Sequence, residues 1–285
     1  MQNLAWINGH VCKLSEAVVS LEDRGYLFGD GVYEVIRVYN GIPFYLDSHL
    51  ERLQRSAAAI RLAVPHSFEE MKKIALGLIA EGGGRECYIY IQLTRGINRR
   101  EHIFPGEVNP SLALYVQELP ANTGKGEVKP ISCITLPDER WLNCYIKSVN
   151  LLPNVLAKQS AAEAGASEAI LYRPGGVVTE GAVSNVFAVI EGEVRTHPES
   201  KLILSGITRR IVLDIIAGQD IACKEEAFTL NELKGASEVL LTSTVMELRP
   251  VGIIDGEAVG DGSVGPVSRS LISHYKNAIF KHCDC

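Results

Sequence analysis

The chain has 285 residues, 46% hydrophobic and 22% charged, with a net charge of −6. That length can bury a large core in one or two domains, and the acidic balance lacks the basic stripe of a nucleic-acid binder. No apolar run reaches a membrane span, the N-terminal MQNLAWINGHV lacks the pattern of a signal peptide, and seven scattered cysteines suit a reducing cytoplasm.

In chain order, Asn8-Gly9 between Leu4–Ile7 and His10–Cys12, and Asn40-Gly41 between Val32–Tyr39 and Ile42–Tyr45, predict two hairpins. Asn and Gly accept the positive φ that tight hairpin turns need. Asp47 stands where it would cap a helix whose Leu50, Leu53, Ala57 and Ile60 share a face. Ser67 and Glu70 form a capping-box pattern for a second helix ending near Glu81–Gly84. Glu86–Arg95 and Leu112–Leu119 read as strands. These elements predict a small α+β domain over residues 1–120, and Pro120–Pro130 reads as a linker.

A larger α+β domain, 121–285, is expected to carry Lys147. It opens with a strand at Val128–Thr135, followed by the run Leu142–Ile146 that ends at Lys147. Asn150 stands as a cap for a helix from Leu151 to about Ala164, with Pro153 in the tolerated first turn. A strand at Glu168–Tyr172, a Pro174–Gly176 turn and Val177–Gly181 bring in Glu180. Glu191-Gly192 turns into Val194–Thr196, and Ser205-Gly206-Ile207-Thr208 opens a helix to about Ala217. Ile221–Glu225 and Glu238–Thr242 are strand-like, and Pro266 opens a final helix. His282-Cys283-Asp284-Cys285 reads as a frayed tail, because a metal site needs pre-positioned ligands.

Three features carry chemistry. Lys147 and Glu180 lie in mostly apolar surroundings, which suits pyridoxal phosphate: a lysine can form a Schiff base, and an acid can keep a pyridine nitrogen protonated. Taken alone, each reads as a solvated surface residue. Leu204–Arg209 has the makings of an anion cup, with a glycine for close approach, helix N–H groups and a Thr hydroxyl. Thr242-Ser243-Thr244 and Arg52 would otherwise read as a strand end and a surface arginine. The third feature is the basic loop Thr94–Pro105, in which Arg100 and His102 could both meet one carboxylate.

The stretch IKSVNLLPNVLAKQSAAEAGASEAILYRPGGVVTEGAVSNVF resembles the core signature of the class IV (fold type IV) pyridoxal-phosphate aminotransferases. The likeness runs from about Leu4 to the C-terminal helix. It implies two α+β domains with the cofactor in the cleft between them, closed by the second subunit of a homodimer. It implies that Lys147 holds the cofactor and moves the proton, and that Glu180 faces the pyridine nitrogen. Leu204 would pack on the ring, while Arg52 of HLERL, Ile207 and Thr208 of GITR, and Ser243 and Thr244 of TST would hold the phosphate.

Within the family the chain most resembles the D-amino acid aminotransferases. Those enzymes grip the substrate α-carboxylate with a Tyr and an Arg-x-His pair that reaches in from the neighbouring subunit. The matching residues are Tyr33 of GDGVYE and Arg100 and His102 of RGINRREH. Ile97-Asn98-Arg99 departs from the pattern and leaves Arg99 as a rival to Arg100. The implied reaction passes the amino group of D-alanine or another D-amino acid to 2-oxoglutarate. Alternatives on the same scaffold are a branched-chain L-aminotransferase, an (R)-amine transaminase and an aminodeoxychorismate lyase, the last lacking the Arg-x-His grip. A non-catalytic pyridoxal-phosphate binding protein is the reading from another class, and it would need neither Lys147 nor Glu180.

Overall fold

The computed structural model describes residues 2–119 and 126–283 and divides into two compact units. The first comprises Met1–Thr123, Ile146–Asn150 and Ile279–Cys285. Its elements are β1 (Leu4–Ile7), β2 (His10–Lys13), α1 (Arg24–Phe28), β3 (Gly31–Tyr39), β4 (Ile42–Pro43), α2 (Leu46–Ala59), α3 (Phe68–Gly82), β5 (Cys87–Thr94) and β6 (Ser111–Glu118). The sheet order is β2-β1-β6-β5-β3-β4, antiparallel throughout. α2 packs on β3 and α3 on β6. Leu50, Leu53 and Ala57 of α2 meet Ile36, Ile89 and Ile91 of the sheet in one apolar core.

Both Asn-Gly turns form as the sequence predicts, with Asn8 at φ 47° and Asn40 at φ 50°. The capping box of α3 is complete, and Gly83 closes that helix in the left-handed region at φ 65°. Asp47 does not cap α2. Tyr45 takes the N-cap position, and Asp47 sits in the first turn paired with Lys72. The sequence reading misses α1, a five-residue helix capped by the Asp23 side chain on Gly25 N–H and too short to show a period.

The second unit comprises Gly124–Tyr145 and Leu151–Ala278. It contains β7 (Ile131–Pro137), α4 (Leu152–Glu163), β8 (Glu168–Arg173), β9 (Val177–Gly181), β10 (Asn185–Ile190), β11 (Glu193–Thr196), α5 (Ile207–Ala217), β12 (Cys223–Glu225), α6 (Leu230–Lys234), β13 (Glu238–Ser243), β14 (Glu247–Ile254), β15 (Glu257–Ala258) and α7 (Pro266–Cys283) as far as Ala278. The sheet order is β12-β11-β10-β13-β14-β7-β8-β9, with β15 on β14. Val178, Val186, Phe228 and Leu241 lie in its core.

Ile146–Asn150 group with the first unit, where the sequence reading puts Lys147 in the second. The cause is pairing: Tyr33 N–H donates to Lys147 O at 2.9 Å, and Val149 N–H to Gly31 O at 3.1 Å. Asn150 does not cap α4. Its amide instead donates to Gly29 O at 2.9 Å, so the segment is tied to the end of α1. Pro153 does fall in the first turn of α4. Residues 120–125 of the expected linker, and the last two of the expected tail, lie outside the described residues.

Candidate active site

In the first unit the site is built on β3 and α2. Strand alternation sends Tyr33 and Glu34 to opposite faces. Glu34 is wholly buried and faces α2, whose His49, Arg52 and Ser56 recur at helical spacing and are buried too. Arg52 donates twice to Glu34, from Nε at 2.6 Å and Nη2 at 2.8 Å, and His49 Nδ1 lies 2.7 Å from the same carboxylate. Burial alone would raise the Glu34 pKa, but Arg52 and His49 outweigh it and hold the carboxyl well below its usual range. Burial pushes His49 below its ordinary value, and Arg52 and Lys147 add to that while Glu34 opposes it.

Lys147 is half-buried beside this cluster. Its backbone N–H donates to Ser56 Oγ at 3.2 Å, and its Nζ lies 4.2 Å from the centre of the Tyr33 ring. Tyr33 stacks on Tyr90 at 5.6 Å. Arg100 and His102 converge elsewhere in the unit, both on Phe28, with the guanidinium at 5.4 Å and the imidazole at 5.3 Å from its ring centre. Among the described residues no hydrogen bond or ring contact joins Tyr33 to that pair. Arg99, exposed as Arg100 and His102 are, makes no ring contact among the described residues; its backbone N–H donates to Asn98 Oδ1 and its carbonyl accepts from Glu101 N–H.

In the second unit Glu180 sits on β9, 4% exposed. Arg140 Nη1 donates to its Oε1 at 2.5 Å; Asn185 Nδ2 and Leu204 N–H donate to its Oε2 at 2.8 and 3.0 Å. Arg140 is shared. Its Nε and Nη2 grip Asp138 at 2.9 and 2.8 Å, and Thr179 Oγ1 donates to Asp138 as well. Burial dominates at Glu180 and raises its carboxyl, with Asp138 adding to the rise and Arg140 and Leu204 N–H opposing it.

Of the expected phosphate residues of this unit, Ile207 and Thr208 open α5, and Ser243 and Thr244 lie at the end of β13. Gly206 caps the helix without a side-chain bond, and Ile207 and Thr208 in the first turn are buried. A Cβ on Gly206 would strike Asn185 Oδ1 at 2.1 Å, so this position needs glycine. Ser243 and Thr244 are half-buried at the end of β13, and Thr242 Oγ1 is a buried hydroxyl with no partner among the described residues. An uncapped helix N-terminus and an orphaned hydroxyl are both donors of the kind that suits a phosphate. A carboxylate with one acceptor position still open suits a protonated ring nitrogen. The residues present therefore fit pyridoxal phosphate.

Sequence reasoning missed Glu34, His49, Asp138, Arg140 and Asn185. The only signal for Glu34 was an acid at a core-facing position of an apolar strand.

Residues 31–254 match the family model of amino-transferase class IV. The chain belongs to the class IV aminotransferases. Curated relatives include the D-alanine aminotransferase of Staphylococcus haemolyticus, 47% identical over 93% of this chain and 94% of that protein. That of Listeria monocytogenes is 42% identical over 97% and 96%. Among solved structures, a branched-chain amino acid aminotransferase with pyridoxamine 5'-phosphate superposes with a TM-score of 0.89. It is 29% identical, and the match covers 99% of this chain and 95% of that one. This class IV aminotransferase thus has the type IV fold and works with pyridoxal 5'-phosphate.

Proposed function

We propose that this enzyme is a D-amino acid aminotransferase that passes the amino group of D-alanine or a related D-amino acid to 2-oxoglutarate. The observation that carries the reading is the convergence of Arg100 and His102 on Phe28, on a chain 42–47% identical to D-alanine aminotransferases. A carboxylate leaving water needs several donors, and an arginine fork, an imidazole and a phenol supply them.

When bound, pyridoxal phosphate supplies a carbonyl for the amine and a ring that draws electrons from the α-carbon. Lys147 would hold it and, once released, would carry the proton to and from the α-carbon. Tyr33, under the Lys147 amine, confines where that amine points. Glu180 would pair with the ring nitrogen, its orientation fixed by Arg140, Asn185 and Leu204 N–H. Leu204 would pack on the ring. Arg52, Ile207, Thr208, Ser243 and Thr244 would hold the phosphate, with Arg52 steadied from behind by Glu34. Tyr33, with Arg100 and His102 reaching in from the second subunit of a homodimer, would fix the substrate carboxylate, so that only one enantiomer turns its α-hydrogen toward Lys147.

The enzyme works as a homodimer in the cytoplasm. Exposed Val18, Val19, Leu21, Tyr26 and Ile103 in the first unit support a dimer, since apolar surface of that kind marks an interface. Among the described residues no helix is long and apolar enough to cross a membrane.

The test is a panel of paired D- and L-donors with 2-oxoglutarate. D-Alanine should exceed L-alanine, L-leucine and L-valine by orders of magnitude in kcat/KM. Faster turnover of L-leucine or L-valine would reject the reading and leave the fold and cofactor standing.

A further inference from the structure

The loop that carries Arg100 and His102 hangs on a buried charge cluster that the proposed chemistry does not use. Asp30 accepts from Arg24 Nε at 2.9 Å and from Arg95 Nε and Nη2 at 2.8 and 3.0 Å. Arg24 and Arg95 are 3% and 2% exposed. Two guanidiniums taken out of water are costly unless their remaining donors also find partners. Arg24 Nη1 donates to Glu101 O at 2.5 Å, and Arg95 donates to the carbonyls of Arg61 at 3.0 Å and Ile60 at 2.8 Å. The Arg95 guanidinium also lies 3.7 Å from the centre of the Phe104 ring.

The cluster therefore grips the loop at two points. Glu101 lies between Arg100 and His102, and Phe104 follows them. Phe28, at the end of α1, completes the arrangement. Its ring centre lies 4.9 Å from the Arg24 guanidinium and 5.4 Å from that of Arg100, and His102 leans on it. A ring face holds a guanidinium by its flat side and leaves the N–H edge for a carboxylate. An arginine already resting on a ring has less rotamer freedom left to lose when it closes on a ligand.

We propose that Phe28, backed by Arg24, Asp30 and Arg95, is a positioning platform that holds Arg100 and His102 ready for the substrate carboxylate and leaves Arg99 out. The inference rests on the reading of Arg100 and His102 as carboxylate ligands, and the test separates the two. Phe28→Leu keeps an apolar side chain at the end of α1 and removes the ring face. Arg24→Lys removes the second point of support, the bond to Glu101 O.

Both variants and Arg100→Met are compared with wild type as holoenzymes. The half-reaction with D-alanine is followed by cofactor absorbance, and amide hydrogen exchange is read over residues 96–105. Phe28→Leu should raise the half-saturating D-alanine concentration by roughly three- to tenfold, the worth of a cation–π contact. Its maximal rate and resting cofactor spectrum should not change. Arg24→Lys should speed exchange across the loop and raise the same concentration. If Arg24→Lys fails to fold, Phe28→Leu alone decides. An unchanged half-saturation in Phe28→Leu, beside a clear rise in Arg100→Met, overturns the platform and spares the carboxylate reading. No effect in Arg100→Met overturns both.

Discussion

Glu34 and Glu180 are both buried carboxylates paired with a buried arginine, yet their environments push them in opposite directions. Glu34 lies far below the usual range, and Glu180 lies above it. The difference is in how the arginine is divided. Arg52 gives two donors to Glu34, and His49 adds a third contact. Arg140 gives two donors to Asp138 and one to Glu180. A fork that closes fully on one carboxylate fixes its charge. A fork divided between two leaves the poorer partner short of compensation for burial. Glu34 is thereby a structural anchor for Arg52, whereas Glu180 is held in place but still gains from a further cation such as a protonated ring nitrogen.

The largest expected effect is on the anchor. Glu34→Gln removes the buried carboxylate that Arg52 and His49 share, and should cost about 3–5 kcal/mol in urea unfolding. A loss near zero would show that the pair contributes nothing to the fold. Glu180→Gln should do the reverse. Its stability should change little, because the carboxylate is already disfavoured by burial, but single-turnover proton abstraction should slow by about 10–100-fold, the worth of a charge-assisted bond. Unchanged single-turnover kinetics would place Glu180 outside the mechanism.

The pH response sharpens the contrast. The folded-state pKa of His49 lies below its ordinary 6.5, so the unfolded chain takes up a proton that the folded one refuses. Stability is full above that value and falls as pH drops through it. Glu34 adds a second loss once pH falls below its ordinary 4.5 toward its depressed folded value. Urea midpoints taken from neutral pH down to about pH 4 should therefore fall, and Glu34→Gln should flatten the lower part of that curve. Asp138→Asn acts on the other region. It loosens the competing claim on Arg140, so the Glu180 carboxyl should titrate lower, as read by carbonyl NMR of labelled apoenzyme. A rise would mean that Asp138 orients Arg140 rather than competing for it. The smallest effect belongs to Arg99→Met, which should leave the KM for D-alanine within about twofold, since its guanidinium, unlike that of Arg100, rests on no ring among the described residues.

Local chemistry was legible in the sequence and long-range partnership was not. The Asn-Gly turns, the capping box of α3 and the glycine before α5 each depend on a few adjacent residues, and each formed where it was read. Asn150 failed as a cap because Gly29, 121 residues away, offers its carbonyl. Lys147 groups with the first unit for a similar reason: its partner is the backbone of β3. The Lys147 and Glu180 positions could be marked by resemblance. Arg140 could not, because it follows Glu139 in a polar run that reads as surface, and its partner Glu180 is 40 residues on. A buried ion pair leaves no periodic signal, since neither residue type says whether its partner will meet it.

The central claim is that the Lys147 amine holds the cofactor and carries the proton. Borohydride treatment of the holoenzyme, followed by proteolysis and mass spectrometry, tests it most directly. The reduced cofactor should be found on the peptide containing Lys147, and Lys147→Ala should show neither the adduct nor transamination. An adduct on Lys158, or a reducible chromophore that survives in Lys147→Ala, would contradict the account.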